Sequence, residues 1–307
     1  MVNRKAGGSW VYLNGGLVPE QEAVVSVYDR GFLYGDGVFE TLRAYQGSIF
    51  KVREHVFRLF QSAKAISLTI PSTPDEILKI LAQTLKANHL KDARIRITVS
   101  RGPDGIGLEP KVSSFPTIVV TAKAFSGHPE KYYERGVDIA MVKTRKIPAA
   151  SLDPSVKSLN YLNHLLAKME AQRMGAFEGI LLNQAGYLSE GTVSNLFLVK
   201  RRQLLTPAPS CGILEGITRQ TVLELAHKAG IPVKEGEFRP DEILDSDECF
   251  ISNTTMELMP VVKISGLDTP QPAHLIGEGR IGPTTGLLLK AYRERVMKEV
   301  SGHSPPV

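Results

Sequence analysis

Cysteine is nearly absent from this 307-residue chain: Cys211 and Cys249 are the only two. They form no C-x-x-C, and no histidine is close enough to complete a recognisable metal-ligand set, which excludes a disulfide-stapled scaffold and a zinc-finger type of site. Tryptophan occurs once and aromatic residues make up 7% of the chain. No segment approaches the ~18 apolar residues of a membrane-spanning helix, and the opening MVNRKAGGSWVYLNGG has no apolar run long enough for a signal peptide. A reducing, cytoplasmic setting is the expectation, in which the Asn253-Thr254-Thr255 sequon has no meaning as a glycan acceptor. Charge of one sign is also lacking. Lys plus Arg number 37 against 32 Asp plus Glu, a net +5, and the basic residues are scattered, so neither nucleic acid nor a membrane is implied as a partner. The densest basic run, Lys200-Arg201-Arg202, lies between apolar FLV and QLLTP and reads as the solvated turn of a hairpin.

What is present is the composition of a globular protein, 42% hydrophobic and 22% charged with 27 Gly and 19 Pro, long enough for two domains. A strand over residues 10–14 is followed by a Gly-Gly turn, a second apolar stretch ending near Val27, and a glycine-dense segment, DRGFLYGDGVFETLRAY, read as a loop feeding a strand. Apolar residues at Val56, Leu59, Phe60 and Ala63 predict a helix over 53–66, and Thr73-Pro74-Asp75-Glu76 is a capping box opening a helix to about Ala87. Strict alternation over 93–100 predicts a strand with Arg94, Arg96, Thr98 and Ser100 on one face and Ile95, Ile97 and Val99 on the other. Residues 116–124 are a further strand. The Gly- and Pro-bearing stretch 125–135 is the expected interdomain connection between an N-terminal domain, 1–124, and a C-terminal domain, 136–307. In the second half, strands over 137–143, 178–183 and 193–200 and helices near 159–174 and 218–229 are expected, the strands 178–183 and 193–200 forming a hairpin. Strands that come in hairpins predict an α+β fold with largely antiparallel sheets. The SGHSPPV tail is expected to fray.

Individual motifs are weak. Gly277-x-Gly279-x-x-Gly282 matches a dinucleotide fingerprint by accident, since it lacks the βαβ setting and the acidic residue that such a site needs. Gly216-Ile217-Thr218-Arg219 opens a helix with free amides and a hydroxyl, which suits an anion but also an ordinary cap. Lys157 is flanked by apolar residues, where burial could make a neutral nucleophilic amine, although most lysines are solvated. Read singly, Glu190 is a turn carboxylate, Arg58 a surface or salt-bridge arginine, and His55 a packing residue.

Taken together, the ordered set YGDGVFETLRAY, REHVFRL, VKSLNYLNHLLAK, YLSEGTVSNLF, GILEGITR and SNTTMELMP resembles the class IV, fold type IV, pyridoxal-phosphate aminotransferases, a family that includes branched-chain aminotransferase, D-amino acid aminotransferase and aminodeoxychorismate lyase. The resemblance runs from about Val11 to Tyr292 and implies a two-domain fold like that of D-amino acid aminotransferase, with pyridoxal 5′-phosphate held in the C-terminal domain. It implies that Lys157 binds the cofactor aldehyde covalently and then carries the proton, and that Glu190 stands beside the pyridine nitrogen. It also implies that Arg58, Ile217, Thr218 and Thr254 form the phosphate cup and that Tyr161 lies near the cofactor's 3′-oxygen. On the substrate side it points to Tyr34, Phe39 and Arg43 as pocket residues and to Arg96 at the distal carboxylate of glutamate. Thr254 and Thr255 would offer amides to the α-carboxylate, and RGPDGIGLEP, with its Gly105-Ile106-Gly107 step, would form a loop over the site. The implied reaction exchanges a branched-chain L-amino acid and 2-oxoglutarate for a branched 2-oxo acid and L-glutamate, in a homodimer. Thr41 stands where branched-chain enzymes read F-E-G, and Arg94 where they often carry Tyr. Thr41 and the Ser100–Gly102 turn resemble aminodeoxychorismate lyase, whereas no Arg-x-His pair of the D-amino acid type occurs over Gly102–Pro110.

Overall fold

The computed structural model describes residues 8–104, 107–109, 115–267 and 271–302. These divide into two compact units. One comprises the described residues up to Ser126, together with Val156–Asn160 and those from Val296 onward; the other comprises Gly127–Ser155 and Tyr161–Arg295. The chain therefore returns to the first unit for the short stretch that carries Lys157.

The first unit contains β1 (Trp10–Leu13), β2 (Gly16–Pro19), α1 (Arg30–Tyr34), β3 (Gly37–Tyr45), β4 (Ser48–Ile49), α2 (Val52–Ala65), α3 (Pro74–Ala87), β5 (Ala93–Ser100) and β6 (Thr117–Ala124). Its sheet runs β2-β1-β6-β5-β3-β4, with every neighbouring pair antiparallel. The alternation expected for β5 holds: Ile95, Ile97 and Val99 are at most 1% exposed. They join Val38 and Leu42 of β3, Val56, Leu59 and Ala63 of α2, and Ile77, Leu81 and Leu85 of α3 in one core. Each such side chain contributes about 1.5–3 kcal/mol by leaving water. The capping box at the start of α3 is formed in both directions between Thr73 and Glu76. Two expectations need correction. The second apolar stretch extends only to Pro19 as strand, and the glycine-dense segment is not simply a loop. Asp29 accepts from the Gly31 amide and caps α1, which Gly35 ends in the left-handed conformation.

The second unit contains α4 (Glu130–Arg135), β7 (Val137–Met141), α5 (Leu162–Arg173), β8 (Glu178–Leu182), β9 (Leu188–Gly191), β10 (Asn195–Lys200), β11 (Gln203–Pro207), α6 (Ile217–Lys228), β12 (Val233–Gly236), β13 (Glu248–Asn253), β14 (Glu257–Ser265), β15 (Ala273–Leu275) and α7 (Pro283–Ser301), the end of α7 belonging to the first unit. Its sheet runs β12-β11-β10-β13-β14-β7-β8-β9, with β15 on β14. The pairs β11–β12, β14–β7 and β7–β8 are parallel and the others antiparallel, giving an α+β fold in which antiparallel pairing predominates.

The Lys200-Arg201-Arg202 turn is found as expected, with Arg201 and Arg202 at φ 50° and 63° between β10 and β11, the left-handed pair a two-residue hairpin demands. The expected hairpin of 178–183 with 193–200 is not found. β9, hidden in a turn-rich sequence, pairs with β8, while β10 pairs with β11 and β13. The stretch 125–135 carries α4, and α5 begins only at Leu162 because Lys157–Leu159 is extended and bonded to β3. The glycines near 280 are explained without a nucleotide. The Glu248 carboxylate accepts from the Thr284 and Thr285 amides at 2.9 and 2.7 Å, and a Cβ at Gly282 would strike that carboxylate. The SGHSPPV tail from His303 onward lies outside the described residues. Among the described residues no helix is long and apolar enough to cross a membrane.

Candidate active site

In the first unit the candidate residues gather around the start of β3. The Phe39 amide donates to the Lys157 carbonyl at 3.0 Å, the Leu159 amide to the Gly37 carbonyl at 2.9 Å, and the Lys157 amide to Ser62 Oγ at 3.1 Å. The lysine backbone is thus pinned to a strand on one side and a helix on the other. Its half-buried side chain brings Nζ to 4.7 Å from the Phe39 ring centroid, and the Arg96 guanidinium lies 3.7 Å from the same centroid. Register explains the meeting: Phe39 pairs with Thr98, Thr41 with Arg96 and Arg43 with Arg94, and directly paired residues share a face.

The opposite face of β3 carries Val38 and Leu42 into the core, and with them Glu40, which is fully buried. Arg58 Nε donates to Glu40 Oε1 at 2.7 Å and Nη2 to Oε2 at 2.9 Å, while His55 Nδ1 lies 2.8 Å from Oε2. Burial by itself would raise the Glu40 pKa, but Arg58 and His55 outweigh it and hold the carboxyl well below its usual range. Burial lowers the His55 pKa, more than Glu40 raises it, and Nδ1, facing a carboxylate that can only accept, is the donor. Arg58 is therefore oriented by a bidentate partner before any ligand arrives.

Tyr34 ends α1, and its hydroxyl accepts from the Gly107 amide at 3.1 Å. The Gly107 and Leu108 carbonyls accept from Arg30 at 2.8 and 2.9 Å, and Asp36 accepts from both Arg30 and Arg101, so this part of the loop is tethered. Gly105 and Ile106 lie outside the described residues. Arg43 is buried, its guanidinium 4.3 Å from the Tyr45 centroid and 5.2 Å from that of Phe125.

In the second unit Glu190 lies buried on β9. The Leu214 amide donates to Oε2 at 2.8 Å, Lys146 Nζ donates to Oε1, and His164 Nε2 stands 3.7 Å from Oε1. Burial pushes the Glu190 pKa up, but the Lys146 ammonium pulls it further down, so the carboxyl is held below its usual range in a low-dielectric place. Tyr161 immediately precedes α5 and stacks on His164, centroids 4.6 Å apart and 20° between planes. Ile217 and Thr218 open α6, where the cap residue Gly216 supplies no side chain to the amides. Asn195 Oδ1 stands where a Cβ of residue 216 would be, which favours glycine there, and the first amides of the helix have no intrahelical acceptor. Thr254 follows β13 in a turn organised by Asn253, whose Oδ1 accepts from the Thr255 and Met256 amides, each at 2.8 Å. The amide expected from Thr255 for a carboxylate thus already has an acceptor.

The structure brings Lys157, Phe39 and Arg96 together in one cluster, and Glu190 and Tyr161 in another through Lys146 and His164. Sequence reasoning missed Glu40, Lys146 and His164. Glu40 was findable, being a carboxylate at an apolar position of an alternating strand. Lys146 lies in a loop without periodicity, and nothing in its neighbours marks it.

Residues 37–264 match the model of the family described as Amino-transferase class IV. The chain belongs to that family and has the two-domain fold type IV architecture of its solved members. It is 41% identical over 284 residues, 92% of this chain and 95% of the other, to a Methanocaldococcus jannaschii protein named "Putative branched-chain-amino-acid aminotransferase". It is 32% identical to the D-alanine aminotransferase of Listeria monocytogenes over 94% of this chain and 96% of that one, and 34% identical to the aminodeoxychorismate lyase of Bacillus subtilis over 83% and 86%. Among solved structures it is similar to the branched-chain amino acid aminotransferase of Escherichia coli, with TM-score 0.90, 31% identity and 95% and 96% of the two chains covered. It is also similar to that of Thermobaculum terrenum in its PLP-bound holo-form, with TM-score 0.84, 28% identity and 95% of each chain covered.

Proposed function

We propose that the protein transfers the amino group of branched-chain L-amino acids to 2-oxoglutarate, giving branched 2-oxo acids and L-glutamate. The cofactor is pyridoxal 5′-phosphate, and the donor set fits it. The fit rests on a half-buried lysine fixed at its backbone, a buried anionic carboxylate, and uncapped amides at α6 beside a buried Thr218 hydroxyl. When bound, the cofactor supplies an electron sink for the charge left at the substrate Cα.

The residues divide the rest of the work. Lys157 Nζ would hold the cofactor covalently and would take and return the proton at the substrate Cα. Glu190 would serve the pyridine nitrogen, which a carboxylate that stays ionised would keep protonated. Arg58, held by Glu40, and the Ile217 and Thr218 amides, with Thr254, hold the phosphate. Tyr161 would serve the cofactor's 3′-oxygen. Tyr34, Phe39 and Arg43 shape the substrate pocket, and Thr254 and Thr255 border the α-carboxylate. The observation that carries the substrate reading is the Phe39 ring, which has the Lys157 ammonium and the Arg96 guanidinium 4.7 and 3.7 Å from its centroid. An apolar wall suits a branched side chain, and the adjoining guanidinium suits the distal carboxylate of glutamate.

One observation favours a second reading. Arg43, Arg94 and Arg96 share a face of the sheet with Thr41, and this density of positive charge suits an aminodeoxychorismate lyase acting on a substrate with more than one carboxylate. The absorption spectrum of the protein with pyridoxal phosphate separates the readings. L-leucine alone is expected to bleach the near-visible band and 2-oxoglutarate to restore it. A band that ignores L-leucine, with release of 4-aminobenzoate from aminodeoxychorismate, supports the lyase, and bleaching by D-alanine alone supports a D-amino acid enzyme.

The protein is further proposed to act in the cytoplasm as a homodimer. Leu162, Leu165, Leu166 and Met169 form an exposed apolar stripe at helical spacing on α5, which suits a protein partner more than water. Both cysteines are free and buried, and burial raises their thiol pKa values, in keeping with a reducing setting. Light scattering in solution tests the dimer.

A further inference from the structure

Lys146 holds neither cofactor nor substrate in the proposed reaction, yet it is a buried lysine, 6% exposed, on a backbone held at both ends. Its amide donates to the Leu182 carbonyl at 2.9 Å, and its carbonyl accepts from Gln184 Nε2 at 2.8 Å. Its ammonium donates to Glu190 Oε1 and lies 3.1 Å from His164 Nε2. An ammonium can only donate, so Nε2 accepts and the ring proton sits on Nδ1, a buried atom with no hydrogen-bond partner among the described residues. The imidazole ring in turn stacks on Tyr161. With Leu214 fixing the other carboxylate oxygen at 2.8 Å, Glu190 is held at both oxygens and its plane cannot turn.

We propose that Lys146, itself held by His164 Nε2, is a positioning residue that keeps the Glu190 carboxylate ionised and in one orientation, and that it links this carboxylate to Tyr161. The inference rests on the reading of Glu190 as the partner of the pyridine nitrogen. Lys146 and His164 act through that carboxylate and not on substrate. Without the ammonium, a buried carboxylate lowers its free energy by taking a proton or by turning toward another donor. Either change removes the anion that holds the proton on the ring nitrogen.

The test uses holoenzyme reconstituted with pyridoxal phosphate carrying 15N at the ring nitrogen, comparing wild type with Lys146→Met, Lys146→Arg and His164→Phe. The 15N chemical shift reads the protonation of that nitrogen independently of turnover. The wild type is expected to show a protonated nitrogen. Lys146→Met should move the signal to the unprotonated position and lower kcat by about tenfold, the equivalent of one pKa unit, with KM for the amino donor unchanged. Lys146→Arg, which restores a cation, should return the signal, and His164→Phe, which keeps the stack but removes the acceptor, should move it part of the way. A protonated nitrogen in both Lys146→Met and His164→Phe overturns the inference and leaves the role of Glu190 standing. An unprotonated nitrogen in the wild type overturns both. Should Lys146→Met fail to fold, Lys146→Gln replaces it with the same expectation.

Discussion

The molecule buries two carboxylates, Glu40 in one unit and Glu190 in the other, and each is attended by one basic side chain and one histidine, yet the two arrangements do different things. Glu40 accepts three hydrogen bonds, two from Arg58 and one from His55. Glu190 accepts one from Lys146 and one from a backbone amide, with His164 held off at 3.7 Å. A carboxylate offers about four lone-pair sites. Glu40 is nearly saturated and serves to orient its arginine, whereas Glu190 keeps acceptor capacity for a further donor. Arginine suits the first because its planar fork matches both oxygens, and lysine suits the second because a single ammonium leaves the rest of the carboxylate uncovered.

The comparison can be broken by neutralising each carboxylate in turn. In turnover the larger effect is expected from Glu190→Gln. If Glu190 accepts a charge-assisted bond of about 1.5–3 kcal/mol, turnover falls by roughly ten- to a hundredfold while the cofactor stays bound, as steady-state kinetics and the absorption spectrum will show. Unchanged turnover would remove Glu190 from its role. Glu40→Gln is expected to act on the fold instead, leaving the Arg58 guanidinium without its counter-charge at a cost of about 3–5 kcal/mol, read by urea unfolding.

Acid should sharpen the same contrast. The folded-state pKa of Glu40 lies below its ordinary value of 4.5, so its contribution is complete above that pH and is lost as the pH falls from there toward the folded-state value. The stability difference between wild type and Glu40→Gln is therefore expected to be constant near neutral pH and to shrink below about pH 4.5. Glu190, depressed in the same direction, is present in both proteins and cancels. A difference that does not narrow in acid would mean that Glu40 is not held as an anion. The smallest effect is expected from His55→Gln. It removes one donor from Glu40 and should cost about 1 kcal/mol with kcat unaltered, since Arg58 keeps both of its bonds.

Much of the fold was legible because local chemistry and packing agree. Thr73 and Glu76 name the start of α3 without reference to anything distant, and the alternation of Arg94 through Val99 gives both the strand and its buried face. The hairpin turn at Arg201 and Arg202 is read from two apolar runs around a charged step. What escaped depended on pairing. β9 is too short and turn-like to show itself, and its backbone is strand because β8 lies beside it. The helix expected from near Leu159 begins only at Leu162, because hydrogen bonds with Phe39 and Gly37 hold Lys157 and Leu159 to β3. α1 was lost among glycines, although Asp29 and Gly35 are its caps.

The sequence by itself determined the family, since an ordered series of motifs identifies it. It also determined the faces of β3 and β5, because a period of two leaves no choice of side. Only the tertiary structure decided what each charge is paired with. It gave Arg58 to Glu40 and Lys146 to Glu190, and it placed Arg96 on the same ring as Lys157. Burial makes an unpaired charge so costly that partners are selected by proximity in space, and that proximity joins residues 18 and 44 positions apart with no local signal to record it.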